Sequence, residues 1–175
     1  RFAELLLRVA DINPLLRVRF ATSHPKDLSV ELVEAIAAKH NICKYIHLPV
    51  QSGSDVMLSK MNRKYTSDEY LKKIELIREK IPDCAISTDV IAGFCGESLE
   101  DHEKTLEMFK KVKYDSAYMF KYSDRPGTVA HKRFEDNIDE EEKVRRLQQI
   151  IDLQRELSLQ SNQKDVGKTF EVLVE

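Results

Sequence analysis

The sequence lacks tryptophan, has only three cysteines, five glycines and five prolines, and contains no apolar run long enough to span a bilayer. Cys43, Cys84 and Cys95 form neither a disulfide framework nor a closely spaced metal knuckle, so a reducing, cytoplasmic setting fits best. The 28 basic and 30 acidic residues leave a net charge of -2, which gives no global argument for nucleic acid. The 175 residues suffice for a packed core, and the start at Arg1 rather than Met indicates a piece of a longer protein.

Apolar runs of strand length alternate with helical stretches along the whole chain. A helix connects each strand to the next, which forces parallel pairing with right-handed crossovers. Four such units are too few to close a barrel. The sequence therefore predicts an α/β fold, a partial TIM-like (β/α) barrel of about four β/α units. Its strands are Leu15–Ala21, Tyr45–Val50, Cys84–Ile91 and Tyr114–Ser123.

Capping residues predict where the helices begin. Ser29 and Ser98 precede helical runs, and Thr66 with Glu69 has the spacing of a capping box for a helix from about Ser67 to Lys80. Asp139 with Glu142 has the same spacing.

The second capping box predicts a long C-terminal helix that reaches about Lys164. One face of it carries Val144, Leu147, Ile151 and Leu157 or Ser158. Beyond Gly167 a new strand is expected. We interpret residues 1–165 as one domain and residues 166–175 as the start of a second, truncated β-barrel domain.

Polar residues and glycines follow the predicted strands at their carboxyl ends, where parallel β/α folds bind ligands. Gln51 and Ser52 follow the second strand, and Asp89 lies within the third, where a carboxylate needs partners. Gly93 permits close backbone approach to a flat ligand. These residues indicate a binding site, although Asp89 could instead cap a neighbouring loop and the glycine could belong to an ordinary turn.

Basic side chains lie near the same strand ends. Arg63 falls between two helices, where its guanidinium could hold a carboxylate or simply be solvated. Ser123 and Arg125 lie in a turn after the fourth strand. The segment from Lys110 to Arg133, which includes Lys121, has seven basic residues against two acidic ones, a patch that could pair with phosphates or be a solvated face. No histidine spacing indicates a metal site.

Five ordered motifs together closely resemble the radical S-adenosylmethionine methylthiotransferases. Two of these segments, His47–Gly53 (His-Leu-Pro-Val-Gln-Ser-Gly) and Met61–Arg63 (Met-Asn-Arg), are most similar to the tRNA branch of the family. That branch modifies position 2 of N(6)-isopentenyladenosine. The branch that modifies an aspartate of a small-subunit ribosomal protein is the alternative. The motifs are Arg19–Pro25, His47–Ser54, Met61–Thr66, Thr88–Glu97 and Ser123–Thr128.

The resemblance implies a full-length enzyme with two 4Fe-4S clusters, a radical S-adenosylmethionine barrel and an RNA-binding β-barrel of the TRAM type. This chain would supply the later strands of the first barrel and the first strand of the second. None of its cysteines has the C-x3-C-x2-C spacing, so we expect no cluster here and no activity from this piece alone. The implied reaction methylates a cluster-bound sulfur and then uses a 5'-deoxyadenosyl radical on the adenine ring.

The resemblance also implies roles for the residues at the strand ends. The residues expected to bind S-adenosylmethionine are Gln51, Ser52, Arg63, Asp89, Gly93 and Ser123. The residues expected on the tRNA side are Lys121, Arg125 and Arg133. Catalytic residues and metal ligands are not assigned. Cys95 stands where the family usually has proline.

Other interpretations remain open at this point. The chain could belong to another radical S-adenosylmethionine enzyme, or to an RNA-binding scaffold with a decayed barrel; the retained Gln51, Arg63 and Asp89 argue against decay, since buried polar groups are costly. Missing strands would leave an open sheet edge, which predicts non-native self-association.

Overall fold

The computed structural model describes residues 2–21 and 24–172. Helices and strands alternate along it, which confirms the predicted α/β class. The elements in chain order are α1 (Phe2–Ala10), a 3-10 turn (Pro25–Asp27), α2 (Val30–Ala38), β1 (Tyr45–His47), α3 (Asp55–Lys60), α4 (Ser67–Lys80), β2 (Ala85–Ala92), α5 (Leu99–Val112), β3 (Ser116–Lys121), α6 (Val129–Arg133) and α7 (Glu140–Gln163).

The three strands form one parallel sheet in the order β1-β2-β3. On one face, residues such as Ile46, Ile86 and Val90 are completely buried beneath the helices. On the other face, Tyr118 and Phe120 are more than half exposed. A parallel sheet covered on one face only is an open, partial barrel, as the sequence predicts.

The predicted first strand is wrong as a strand. Of Leu15–Ala21, only Val18 pairs, in a single parallel bridge with Ile42, and Leu15 and Leu16 are exposed. A strand needs a ladder of backbone hydrogen bonds, and the described residues provide Val18 with one neighbour and the flanking residues with none. Part of the first motif, Thr22 and Ser23, lies outside the described residues.

The helix starts are confirmed at three places. Ser29 and Ser98 cap α2 and α5, and the Thr66–Glu69 capping box opens α4. The Asp139–Glu142 box is wrong: α7 begins there, but the Asp139 side chain makes no capping bond. The Glu142 carboxylate instead accepts hydrogen bonds from two arginines within α7.

The predicted apolar face of α7 is confirmed in part. Leu157 is buried and Leu147 packs against the core, but Val144 is half exposed. Lys143, Arg146 and Gln154 are buried as well. α7 packs on β2, β3 and α5, and residues in the loops around these elements, Asp136, Glu97 and Tyr114, pair with the three buried polar side chains.

After α7 the chain forms a turn and an irregular segment, with no strand in residues 166–172. The expected strand end, residues 173–175, lies outside the described part. A strand also requires a ladder partner, and none of the described residues provides one. The domain boundary stays a prediction. No helix among residues 2–21 and 24–172 is long and apolar enough to cross a membrane.

Candidate functional site

A cavity of about 450 Å³ lies at the carboxyl ends of β2 and β3. It brings together five of the nine residues that the sequence proposes for binding. These are Gln51, Asp89, Lys121, Ser123 and Arg125. Parallel strands deliver their carboxyl ends to one edge, which is why segments distant in sequence meet there.

Gln51 reaches this cavity through a bulge in the sheet. His47 of β1 pairs with Ser87 of β2, and the next pair after the bulge is Gln51 with Val90. Four residues on the β1 side thus match three on β2, so the β1 side has one extra residue. Gln51 itself has a φ of 68° and is 7% exposed. Its backbone N–H donates to Asp89 O at 2.8 Å, and its carbonyl accepts from Ile91 at 3.0 Å. A positive φ in a non-glycine residue is costly, and these two bonds hold it in place.

Asp89 has partners on the open face of the sheet. Its Oδ1 lies 3.4 Å from His47 Nε2, and the other ring nitrogen of His47 lies 2.9 Å from Ser87 Oγ. Ser87 also lies 2.6 Å from Tyr45 Oη. A polar chain thus runs along the open face and ends at the carboxylate that lines the cavity. Asp89 does not cap a neighbouring loop through any hydrogen bond recorded for the described residues.

Ser52 and Gly93 do not line this cavity, and each contacts a neighbouring helix. Ser52 is completely buried, its hydroxyl lies 3.3 Å from Thr105 Oγ1 on α5, and it accepts from the Ser54 N–H. Gly93 has a φ of 73°, and a Cβ there would lie 2.5 Å from Lys143 Cγ. The side of Gly93 on which a side chain would project therefore faces α7, so the glycine is required by packing within the protein.

The loop after β2 is fixed by a buried ion pair with α7. Arg146 Nη1 donates to Glu97 Oε2 at 2.8 Å and to the Glu97 carbonyl at 2.7 Å. Glu97 Oε2 in turn accepts from the Gly93 N–H. Burial raises the pKa of Glu97, and the bonds from Arg146 and Gly93 oppose that rise. Lys143, equally buried, pairs with Asp136.

Arg63 does not line this cavity. Its positive charge acts on His24, whose pKa is lowered mainly by burial, and on Tyr65, whose pKa burial raises to about 12. Its Nε atom is buried and has no hydrogen-bond partner among the described residues. A buried guanidinium N–H without a partner is costly, and a ligand carboxylate at this position would satisfy it.

The basic segment from Lys110 to Arg133 is divided between two edges of the sheet. Lys110, Lys111 and Lys113 lie at the end of α5, and β3 then carries the chain back to the edge with the cavity. There, Lys121 is paired with Glu140, while Arg125 is exposed. Only the part of the patch after β3 can therefore serve the cavity.

Arg133 is exposed at the end of α6, a helix that the sequence did not predict. Thr128 caps this helix, and His131 within it contacts Asp124 at 2.5 Å. The hydrogen bond with His131 holds the pKa of Asp124 below its usual range. The Thr-Val-Ala sequence after Gly127 would have been the signal for the helix.

The described part of the chain contains no group of three or more His, Cys, Asp or Glu side chains that could hold a metal ion. Cys43 is half-buried, and Cys84 and Cys95 are buried. The expectation that this stretch carries no iron-sulfur cluster stays a prediction.

The profile of the radical SAM superfamily matches residues 1–109. This match covers more than half of the chain, including β1, β2 and the Gln51 turn. The chain belongs to the radical SAM superfamily.

Two curated relatives with the same name illustrate the match. The chain is 59% identical over 174 residues to the tRNA-2-methylthio-N(6)-dimethylallyladenosine synthase of Parabacteroides distasonis, and 55% identical to that of Phocaeicola vulgatus. Each alignment covers 99% of this chain and 38% of the relative. This radical SAM chain thus spans well under half of the length of the relatives that it matches.

Solved radical SAM structures share the fold. Coproporphyrinogen III oxidase from Escherichia coli superposes with a TM-score of 0.70 at 17% identity, over 88% of this chain and 36% of that one. A radical S-adenosylmethionine methyltransferase from Kitasatospora setae gives 0.55 at 18% identity, over 68% and 24%. The prediction of a partial barrel of the radical SAM type is confirmed.

The sequence did not identify six residues of the site. His47 lies beside Asp89, and the others line the cavity: Ile91, Phe120, Tyr122, Thr128 and Ala130. Only the register of β1 against β2 brings His47 beside Asp89.

Proposed function

We propose that the protein to which this chain belongs is a tRNA methylthiotransferase that adds a methylthio group to position 2 of N(6)-isopentenyladenosine. The observation that carries the proposal is the 59% identity, over 99% of this chain, to a tRNA-2-methylthio-N(6)-dimethylallyladenosine synthase. Membership of the radical SAM superfamily and the polar cavity at the strand ends are consistent with it.

S-adenosylmethionine and two 4Fe-4S clusters would supply the radical, methyl and sulfur chemistry, with both clusters held outside this stretch. This chain then binds and orients the cofactor and the tRNA. Gln51, Asp89 and Ser123 offer polar groups at the cavity for the ribose and amino acid portions of the cofactor. The unsatisfied Nε of Arg63 suits its carboxylate. Contact of Ser52 and Gly93 with the cofactor stays a prediction; within the protein Ser52 bonds Thr105, and the side of Gly93 on which a Cβ would lie faces Lys143.

On the substrate side we assign Arg125, Lys121 and Arg133 to the tRNA backbone, because basic side chains near a cavity attract phosphates. A tRNA-modifying role places the protein in the cytoplasm. Association of copies through the sheet edge of β1 or β3 stays a prediction, and a concentration-independent monomer in sedimentation experiments would contradict it.

The test uses the complete protein with its clusters reconstituted under anaerobic conditions. We expect mass spectrometry of nucleosides from incubated tRNA to detect 2-methylthio-N(6)-isopentenyladenosine. Modification of a ribosomal protein without modification of tRNA would move the assignment to the ribosomal branch. Cleavage of S-adenosylmethionine with neither product would indicate another radical SAM substrate, and no cleavage would indicate a scaffold.

A further inference from the structure

Phe120 presents an open aromatic surface to the cavity. On β3 the side chains of Tyr118 and Phe120 alternate with the less exposed Met119 and Lys121. The register puts Phe120 beside Ile91 and Tyr118 beside Asp89, on the open face of the sheet. Phe120 is 54% exposed and lines the cavity. Phe120 lies near the carboxyl end of its strand, the place where parallel β/α folds bind ligands, so its ring is in a position to contact one.

Phe120 differs from the neighbouring aromatic residues in having no ring partner. Tyr118 lies edge-on to His47 at 5.8 Å, and Tyr122 lies edge-on to Phe94 at 4.9 Å. No ring contact to Phe120 occurs within residues 2–21 and 24–172. Its ring is therefore available for stacking, whereas the rings on either side are already engaged.

The charges around the ring favour a nucleic acid. The segment 121–133 contains four basic residues against the single acidic Asp124, which is bonded to His131. In the cavity itself Lys121 is paired with Glu140 and Asp89 lies close to His47, and Arg125 is exposed. Arg125 and Lys121 line the same cavity as Phe120. Single-stranded RNA combines the two properties that this surface complements, because its bases stack on aromatic rings while its phosphates pair with basic side chains.

We propose that Phe120 is the stacking platform for the target adenine of the RNA substrate, with the RNA backbone towards Arg125. The inference rests on the proposed function. The base would leave its own stack and lie on the ring, with the exposed Arg125 of the same cavity beside it. Stacking on an aromatic residue is sequence-tolerant, so the ring would hold the base without itself selecting adenine.

The test uses the complete reconstituted protein and an anticodon stem-loop with 2-aminopurine, a fluorescent adenine analogue, at the target position. Stacking on an aromatic ring quenches this base. We expect the wild-type protein and Phe120→Tyr to quench it, and Phe120→Leu to bind the RNA roughly 10- to 100-fold more weakly without quenching. Leu159→Ala, which removes another exposed apolar side chain, from α7, should behave as wild type.

Two outcomes would overturn the inference. In the first, Phe120→Leu binds the RNA and quenches 2-aminopurine like the wild type. In the second, Phe120→Leu keeps RNA binding but loses affinity for S-adenosylmethionine in equilibrium dialysis, which would mean that the ring contacts the adenine of the cofactor. Circular dichroism of each variant checks folding, and Phe120→Tyr retains the ring if Phe120→Leu is unstable. Absence of the methylthio product from the wild-type protein overturns the proposed function instead, since RNA binding and quenching need no turnover.

Discussion

The Thr88 hydroxyl accepts a hydrogen bond from the Val50 N–H at 2.9 Å, and it donates one to the Leu48 carbonyl at the same distance. Leu48 and Val50 lie on either side of Pro49, which has no backbone N–H to donate to the strand ladder. A side chain on β2 thus bonds the backbone groups on both sides of the proline, beside the bulge that delivers Gln51 to the cavity.

Substituting Thr88 by valine keeps the shape of the side chain and removes the hydroxyl. We expect Thr88→Val to lower the free energy of unfolding by about 1–3 kcal/mol, because the buried Val50 N–H loses its partner. Thr88→Ser keeps the hydroxyl and should lose less. Urea-induced unfolding measures both, and equal stability of the two variants would show that the hydroxyl is dispensable.

The fold was predictable where the hydrophobic pattern of a segment agrees with its burial. It was less predictable where a segment becomes a strand only if a neighbouring strand pairs with it. β2 is a continuous run that is buried on one face and half-buried on the other, and its position is as predicted. The stretch Leu15–Ala21 looks similar in sequence, but a strand needs neighbours that periodicity cannot report. The bulge at Pro49 was hard to predict for the same reason. Proline indicates that the strand is interrupted, but only the structure shows that Thr88, on the neighbouring strand, bonds the backbone on both sides of it.

The site shows the same division. Position at a strand end was enough to bring Gln51, Asp89 and Ser123 to one cavity. Ser52 and Gly93 were expected to contact the cofactor because they share those strand ends, yet their partners come from α5 and α7. Helical periodicity gave α7 its extent and placed Leu147 and Leu157 on its packed side. It did not predict the burial of Arg146 and Gln154, because periodicity cannot detect polar partners that come from loops elsewhere in the chain.

Gly93 meets α7 in a way that an added methyl group would obstruct. Gly93→Ala must adopt a left-handed φ, at roughly 1–2 kcal/mol, and also displace the Lys143 side chain. Gly127 has a φ of 89° with nothing within 4 Å of the added carbon. We therefore expect Gly93→Ala to lower the melting temperature more than Gly127→Ala, and a difference of opposite sign would contradict the close approach.

Arg146 and Arg145 both bond Glu142, but only Arg146 also reaches the buried Glu97. Arg146→Met leaves that carboxyl unpaired, and we expect a loss of about 3–5 kcal/mol in the free energy of unfolding. Arg145→Met, at an exposed position, should change stability little. Equal effects of the two substitutions would argue against the buried pair.

The loss in Arg146→Met should also depend on pH. Burial raises the pKa of Glu97 in the folded state, so folding costs more once the unfolded carboxyl ionises. Without Arg146 nothing charged opposes that rise. The stability difference from wild type should therefore grow as pH increases from the ordinary carboxyl range, and denaturation curves at several pH values measure it. A pH-independent difference would mean that Glu97 does not ionise differently in the two proteins.

Arg63 provides the sharpest test of the cofactor side. If its buried Nε bonds the carboxylate of S-adenosylmethionine, Arg63→Ala in the complete protein should weaken cofactor binding by roughly 1.5–3 kcal/mol, the usual worth of a hydrogen bond to a charged group. Arg63→Lys keeps the charge but not the planar fork, so it should recover part of the affinity. Arg155→Ala, at an exposed position on α7, is the matched control and should bind as wild type. Equilibrium dialysis measures each affinity, and an unchanged value for Arg63→Ala would remove Arg63 from the cofactor site.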